Sequence, residues 1–150
     1  MSSTYIRDGR APIPKDDRIS RAMSAIHAKN TKPEMLVRNI LNNTKLLGYR
    51  IHWKKLAGRP DIAFPKMKVA IFVHGCYWHA CRYCGLPLPK THRAFWRAKF
   101  IRNRERDLRK ARELRKLGWK VLTIWEHQLK KGDDRVAERV VKKLRQAHDA

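Results

Sequence analysis

The sequence predicts an α/β fold: a central mixed β-sheet flanked by helices. Three observations carry that expectation. Apolar residues recur at helical spacing toward both ends of the chain. Two β-rich runs, DIAF and KVAIFVH, are joined only through PKMK and so form a hairpin. A long helical stretch then leads to one more apolar run, WKVLTIW, which makes a helical crossover to a further strand.

In chain order, residues 1 to about 15 contain Gly9, Pro12 and Pro14 and read as a flexible N-terminal arm, with residues 16–150 as a single domain. DDRISRAMSAIHAK places Ile19, Met23 and Ile26 on one helical face. TKPEMLVRNILNNTKLLG opens with Thr31 and has Glu34 three residues on, a capping-box pattern with Pro33 in the first turn. Gly48 is the stop expected for that helix. YRIHWK alternates, with Tyr49, Ile51 and Trp53 on one face, and predicts a strand. LAGRP is a turn, and the hairpin follows it. A loop runs from Gly75 to about Lys90. A helix is predicted from about residue 93 to 117, ended by Gly118, with Ile101, Leu108, Ala111 and Leu114 as its apolar stripe. DDRVAERVVKKLRQAH closes the chain as an amphipathic helix. The order is therefore α-α-β-β-β-α-β-α.

A length of 150 residues suits one domain with a real core, and a hydrophobic fraction of 43% agrees with folding. The 36 Lys and Arg against 13 Asp and Glu leave a net charge of +23, which calls for a polyanionic partner, nucleic acid above all. Residues 91–116 alone hold eleven Lys and Arg against three acids. No apolar run approaches the roughly eighteen residues a membrane span needs. The start MSSTYIRDGRAPIPKDD lacks the apolar core of a secretion signal, so reduced thiols and a cytoplasmic location are expected.

The stretch HGCYWHACRYC holds the chain's three cysteines, Cys76, Cys81 and Cys84. Their spacing, with a two-residue gap before Cys84, suits structural zinc. A fourth ligand is required, and spacing leaves it open among His74, His79, His92 and His127. Asp61 follows Gly58-Arg59-Pro60, and His74 ends the next strand thirteen residues later. A hairpin of that size brings its outer ends together, so carboxylate and imidazole should face each other at one sheet edge. Magnesium needs few protein oxygens, and a neutral histidine beside it can take a proton from attacking water. Taken singly, Asp61 is a turn residue and Glu34 a helix cap. A zinc-stabilised nucleic-acid-binding protein without catalysis is the competing reading. Asp61 with His74 and His79 argues against it, because a binding module has no need of them.

GRPDIAF, VAIFVHGCYWHACRYC, FWRAKFIRNRERD and LGWKVLTIWEHQL, in that order over about residues 16–130, resemble the very short patch repair (Vsr) endonucleases. The resemblance implies a restriction-endonuclease-like fold. It implies a magnesium-dependent, strand-specific nick 5′ to the thymine of a T:G mismatch left by 5-methylcytosine deamination. By position, Asp61 resembles the family's magnesium-binding aspartate, and Val73 stands where a backbone carbonyl joins it. His74 and His79 resemble the active-site histidines, and Glu34 the acid on the early helix. Cys76, Cys81, Cys84 and His127 resemble the zinc ligands. Val73 in place of threonine and Tyr77 in place of phenylalanine are departures that remove no required group. DNA contacts are expected from Met23, Tyr77, Trp78, Trp96, Arg102 and Asn103. The aromatics would wedge beside the T:G pair, where unstacking costs least. The expected partner is mismatched duplex DNA bound by a monomer, with mismatch-repair proteins as further partners, in a bacterial type of cytoplasm at the nucleoid.

Overall fold

The computed structural model describes residues 6–7, 11–12, 30–77, 79, 81–85, 87–130 and 133–148. The first predicted helix, residues 16–29, lies outside the described residues, as do Met23 and Trp78. Within the predicted arm, β1 (Ile6–Arg7) and β2 (Ala11–Pro12) pair antiparallel.

Helix α1 (Lys32–Asn43) starts as predicted, with the Thr31 hydroxyl accepting the Glu34 N–H at 3.4 Å. It ends before Gly48. The Thr44 hydroxyl donates to the Ile40 carbonyl at 2.7 Å, and Lys45, at a φ of 58°, turns the chain away. Strand β3 (Arg50–Ile51) is shorter than the predicted 49–54, because His52 adopts a φ of 45° and breaks the extended backbone. β4 (Ile62–Phe64) and β5 (Val69–His74) form the predicted hairpin, with Ile62 opposite Ile71 and Phe64 opposite Val69. Helix α2 (Arg93–Lys116) crosses over to β6 (Lys120–Trp125), which runs parallel to β5 from Val69↔Lys120 to His74↔Trp125. A one-turn helix α3 (Glu126–Leu129) and helix α4 (Asp133–His148) finish the described chain. The mixed sheet has the order β3-β4-β5-β6.

Strand alternation sorts the core into two layers. Ile62, Phe64, Val69, Ile71, Val73, Leu122 and Ile124 face α1 and α4, packing on Val37, Ile40, Leu41, Val136 and Val140. Ala63, Ala70 and Phe72 face the other way, where Leu114 of α2 joins them. His74 has the parity of Phe72, so its ring also points to the α2 side.

The inward stripe of α2 agrees with the predicted one at Leu114 and, half-buried, at Ala111, but not at Ile101 and Leu108. Ile101 and Leu108 are 52% and 56% exposed, whereas Trp96, Phe100 and Leu114 are buried. Asn103, Asp107 and Lys110 lie between them on the same face, at alternating spacings of three and four, and are half-buried. The helix rests on the sheet through apolar ends and presents polar groups at its middle, over the end of β5.

Candidate active site and metal centre

Asp61 enters β4 directly after the Gly58-Arg59-Pro60 turn. Gly58 has a φ of 80°, and a β-carbon there would meet Lys110 Cβ at 3.3 Å, so a side chain would be both strained and tightly packed where the turn approaches α2. One carboxylate oxygen of Asp61, Oδ2, accepts the Val73 N–H at 2.7 Å. Asp61 and the end of β5 therefore meet at one sheet edge, through the Val73 N–H rather than through the expected facing of Asp61 and the His74 ring. The Val73 carbonyl projects to the same side of the strand as its N–H. Burial raises the Asp61 carboxyl to about 6, offset by the Val73 hydrogen bond and reinforced by Glu34.

His74 and His79 stack face to face, ring centroids 4.0 Å apart and planes within 2°. Asp107 of α2 lies beside both. It is 2.6 Å from His79 Nδ1 and 3.9 Å from His74 Nε2. Burial works to raise the Asp107 carboxyl, but the His79 hydrogen bond and the neighbouring cations hold it below the usual range. An ionised carboxylate only accepts, so Nδ1 of His79 carries the proton of this hydrogen bond. Burial, then the facing His79, push His74 down to about 4, so His74 is neutral at physiological pH. Its Nδ1 is buried with no hydrogen-bond partner among the described residues. An unmade bond of that kind costs about 1–3 kcal/mol.

Across Asp61 lies a third group. Glu34 is buried, and its Oε2 receives the Asn30 N–H at 3.1 Å, Arg38 at 3.2 Å and His52 Nε2 at 2.9 Å. The capping pattern in the sequence is thus half realised: Thr31 caps, while Glu34 turns mainly toward Arg38 and His52. Sequence reasoning missed His52 and Asp107. The signal for Asp107 was its spacing of seven from Phe100 and eleven from Trp96, which sets it on their face.

Cys76, Cys81, Cys84 and His127 bring one donor atom each within 4.8 Å of the others. His127 Nδ1 lies 3.2 Å from Cys76 Sγ and 3.5 Å from Cys81 Sγ. The choice among histidines that spacing left open falls to His127, because β6 passes straight into α3. His92 instead precedes α2 with a φ of 57°. Burial pushes the Cys76 thiol up to about 12. Tetrahedral zinc with Zn–S near 2.3 Å sets sulfurs about 3.8 Å apart, and three thiols and an imidazole with donors within 4.8 Å of one another suit it.

Among the expected DNA-contacting residues, Arg102 is exposed and Asn103 half-buried. Tyr77 stands edge-on to Phe100 at 5.3 Å. Trp96 departs from expectation. It is only 8% exposed, because it lies on the inward face of α2 against Phe95 and Phe100.

A fixed aspartate, a stacked histidine pair held by a second aspartate, and a strongly basic helix beside them define a class: a phosphodiester hydrolase acting on nucleic acid. Known proteins narrow it. Residues 13–84 match the family described as DNA mismatch endonuclease Vsr. The type II nicking enzyme V.NmeAIP of Neisseria meningitidis serogroup A is 42% identical over 113 residues, 74% of this chain and 79% of the relative. The type II nicking enzyme V.XorIIP of Xanthomonas oryzae pv. oryzae is 42% identical over 111 residues, 71% and 78% of the two chains. The DNA mismatch endonuclease Vsr of Escherichia coli K12 is 34% identical over 125 residues, 83% and 80%. The chain belongs to the Vsr family of DNA endonucleases.

Proposed function

We propose that this endonuclease nicks one strand of duplex DNA 5′ to the thymine of a T:G mismatch, with magnesium as catalytic ion and zinc as structural ion. The observation that carries the reading is the meeting of Asp61, through Val73, with the His74–His79–Asp107 group at one sheet edge. Asp61 and the Val73 carbonyl hold the magnesium, with Glu34 as the neighbouring acid. When bound, magnesium supplies charge for the phosphate oxygens.

Asp107 fixes the His79 ring and its tautomer, and His79 Nε2 accepts the proton of the attacking water. Neutral His74 supports that ring by stacking. Cys76, Cys81, Cys84 and His127 hold zinc and so fix the loop that carries His79. Tyr77 and Trp78 form the wedge at the mismatch. Trp96, buried in the DNA-free chain, backs the aromatic layer through Phe100. Mismatch specificity rests on the resemblance and on the name of the Escherichia coli relative.

The test is direct. End-labelled duplexes carrying T:G or C:G at one position are incubated with protein and Mg²⁺, and the nick is mapped. A nick 5′ to the mismatched thymine is expected, and Asp61→Ala should abolish it while duplex binding persists. Equal cutting of both duplexes would refute the mismatch assignment. Undiminished nicking by Asp61→Ala would refute the active site.

A further inference from the structure

His52 has no part in the reading above, yet its position is closely determined. Its N–H donates to the Asp61 carbonyl at 3.2 Å, which sets it opposite Asp61 where β3 and β4 pair. Its φ of 45° turns the chain out of β3, and its ring meets Glu34 with Nε2 2.9 Å from Oε2. Glu34 is 3% exposed, and its hydrogen bonds from Asn30, Arg38 and His52 all fall on Oε2. Among the described residues no donor bonds its Oε1. Asp61 likewise gives only Oδ2 to the Val73 N–H. Donor atoms of Glu34, His52 and Asp61, one from each, lie within 4.8 Å of one another.

Two carboxylates, each with an uncommitted oxygen, and an imidazole nitrogen thus converge beside the sheet edge where β5 ends. The other histidine group is different. There Asp107 is already engaged by His79 at 2.6 Å, an arrangement suited to proton transfer. We propose that His52 is itself a metal ligand, so that Glu34, His52 and Asp61 together take a first-row transition ion of the Mn²⁺ class. The proposal rests on the nuclease reading only for the part of Asp61 in metal binding. Magnesium is a hard ion that prefers oxygen, and an imidazole nitrogen moves preference toward manganese and its neighbours. For the nitrogen to bind, the neutral ring carries its proton on Nδ1 and presents the Nε2 lone pair. The hydrogen bond from His52 to Glu34 then gives way to a shared cation.

The experiment uses zinc-loaded, magnesium-free full-length protein with Mn²⁺ as probe. Pulsed EPR of the bound Mn²⁺ should show modulation from a directly bonded nitrogen. That signal should vanish in His52→Gln and persist in His79→Gln. Mn²⁺ affinity should fall about tenfold in His52→Gln, while Mg²⁺ affinity, read by competition, stays level. Bound Mn²⁺ without nitrogen modulation in the wild-type protein overturns the proposal, and that measurement needs no variant. Modulation that survives in His52→Gln overturns it as well. If the wild-type signal is absent while Asp61→Ala still abolishes nicking, the His52 assignment alone falls. Nicking retained in Asp61→Ala overturns both readings.

Discussion

Asp61 carries the cost of its own burial. Its carboxyl titrates near 6 in the folded chain against an ordinary value of 3.8. Folding therefore favours the protonated form. The associated stability is whole below the ordinary value and is lost as pH rises through 6. Asp61→Asn keeps an oxygen for the Val73 N–H and removes the charge. The metal-free variant should melt higher than wild type at pH 7.5, by a difference on the order of 1–3 kcal/mol, and the gap should close near pH 4. A pH-independent gap would exclude charge burial as its cause. Asp107 acts through His79, so Asp107→Asn should slow single-turnover nicking by about a hundredfold or more, with duplex binding unchanged. Undiminished single-turnover nicking would free His79 of its partner. At this scale the sequence was partly legible. Asp61 could be placed at the end of β5 because the strands on either side of the short PKMK connection pair antiparallel, although its carboxylate meets the Val73 N–H rather than the His74 ring. Asp107 could not, because its partner is twenty-eight residues away, and a lone acid in a basic helix resembles a solvated residue.

Helix α2 shows where periodicity misleads. Ile101 and Leu108 looked like its core stripe because they are apolar and seven apart. Leu114 is buried as predicted, but the row it ends runs back through Phe100 and Trp96, with Asn103, Asp107 and Lys110 half-buried within it. Burial and neighbouring Arg106 lower the Lys110 ammonium, while the charges of Asp107 and Asp61 pull it back. The outward faces remain for phosphate. Arg102→Ala should weaken matched and mismatched duplexes alike and reduce the salt slope of binding by about one. A loss confined to the T:G duplex would instead place Arg102 at a base edge. The C-terminal boundary near residue 117 was readable from Gly118. The early end of α1 was not, since it depends on the Thr44 hydroxyl and a left-handed Lys45, neither of which has a strong sequence signature.

For the molecule as a whole, the decisive feature is the parallel register of β5 and β6. His74 pairs with Trp125, so Cys76 and His127 each stand two residues beyond a matched pair of strand ends. The sequence displayed the cysteines but could not choose their histidine, because the choice depends on a crossover of about fifty residues. Cys81→Ser should lower bound zinc well below one equivalent and depress the melting temperature, since a structural ion contributes folding free energy. Brief EDTA treatment that spares zinc, followed by Mg²⁺, should restore nicking. Full zinc content and unchanged melting in Cys81→Ser would remove it from the ligand set.

The strand alignment that sets His127 against the cysteines also sets His74 in line with His79 and Asp107. A slip of β6 by one residue would reverse the faces of its side chains and carry His127 off the sulfurs. The loop holding His79 would then lose its anchor. The two clusters are thus interlocked by one register: a chain whose distant halves were out of step would assemble neither.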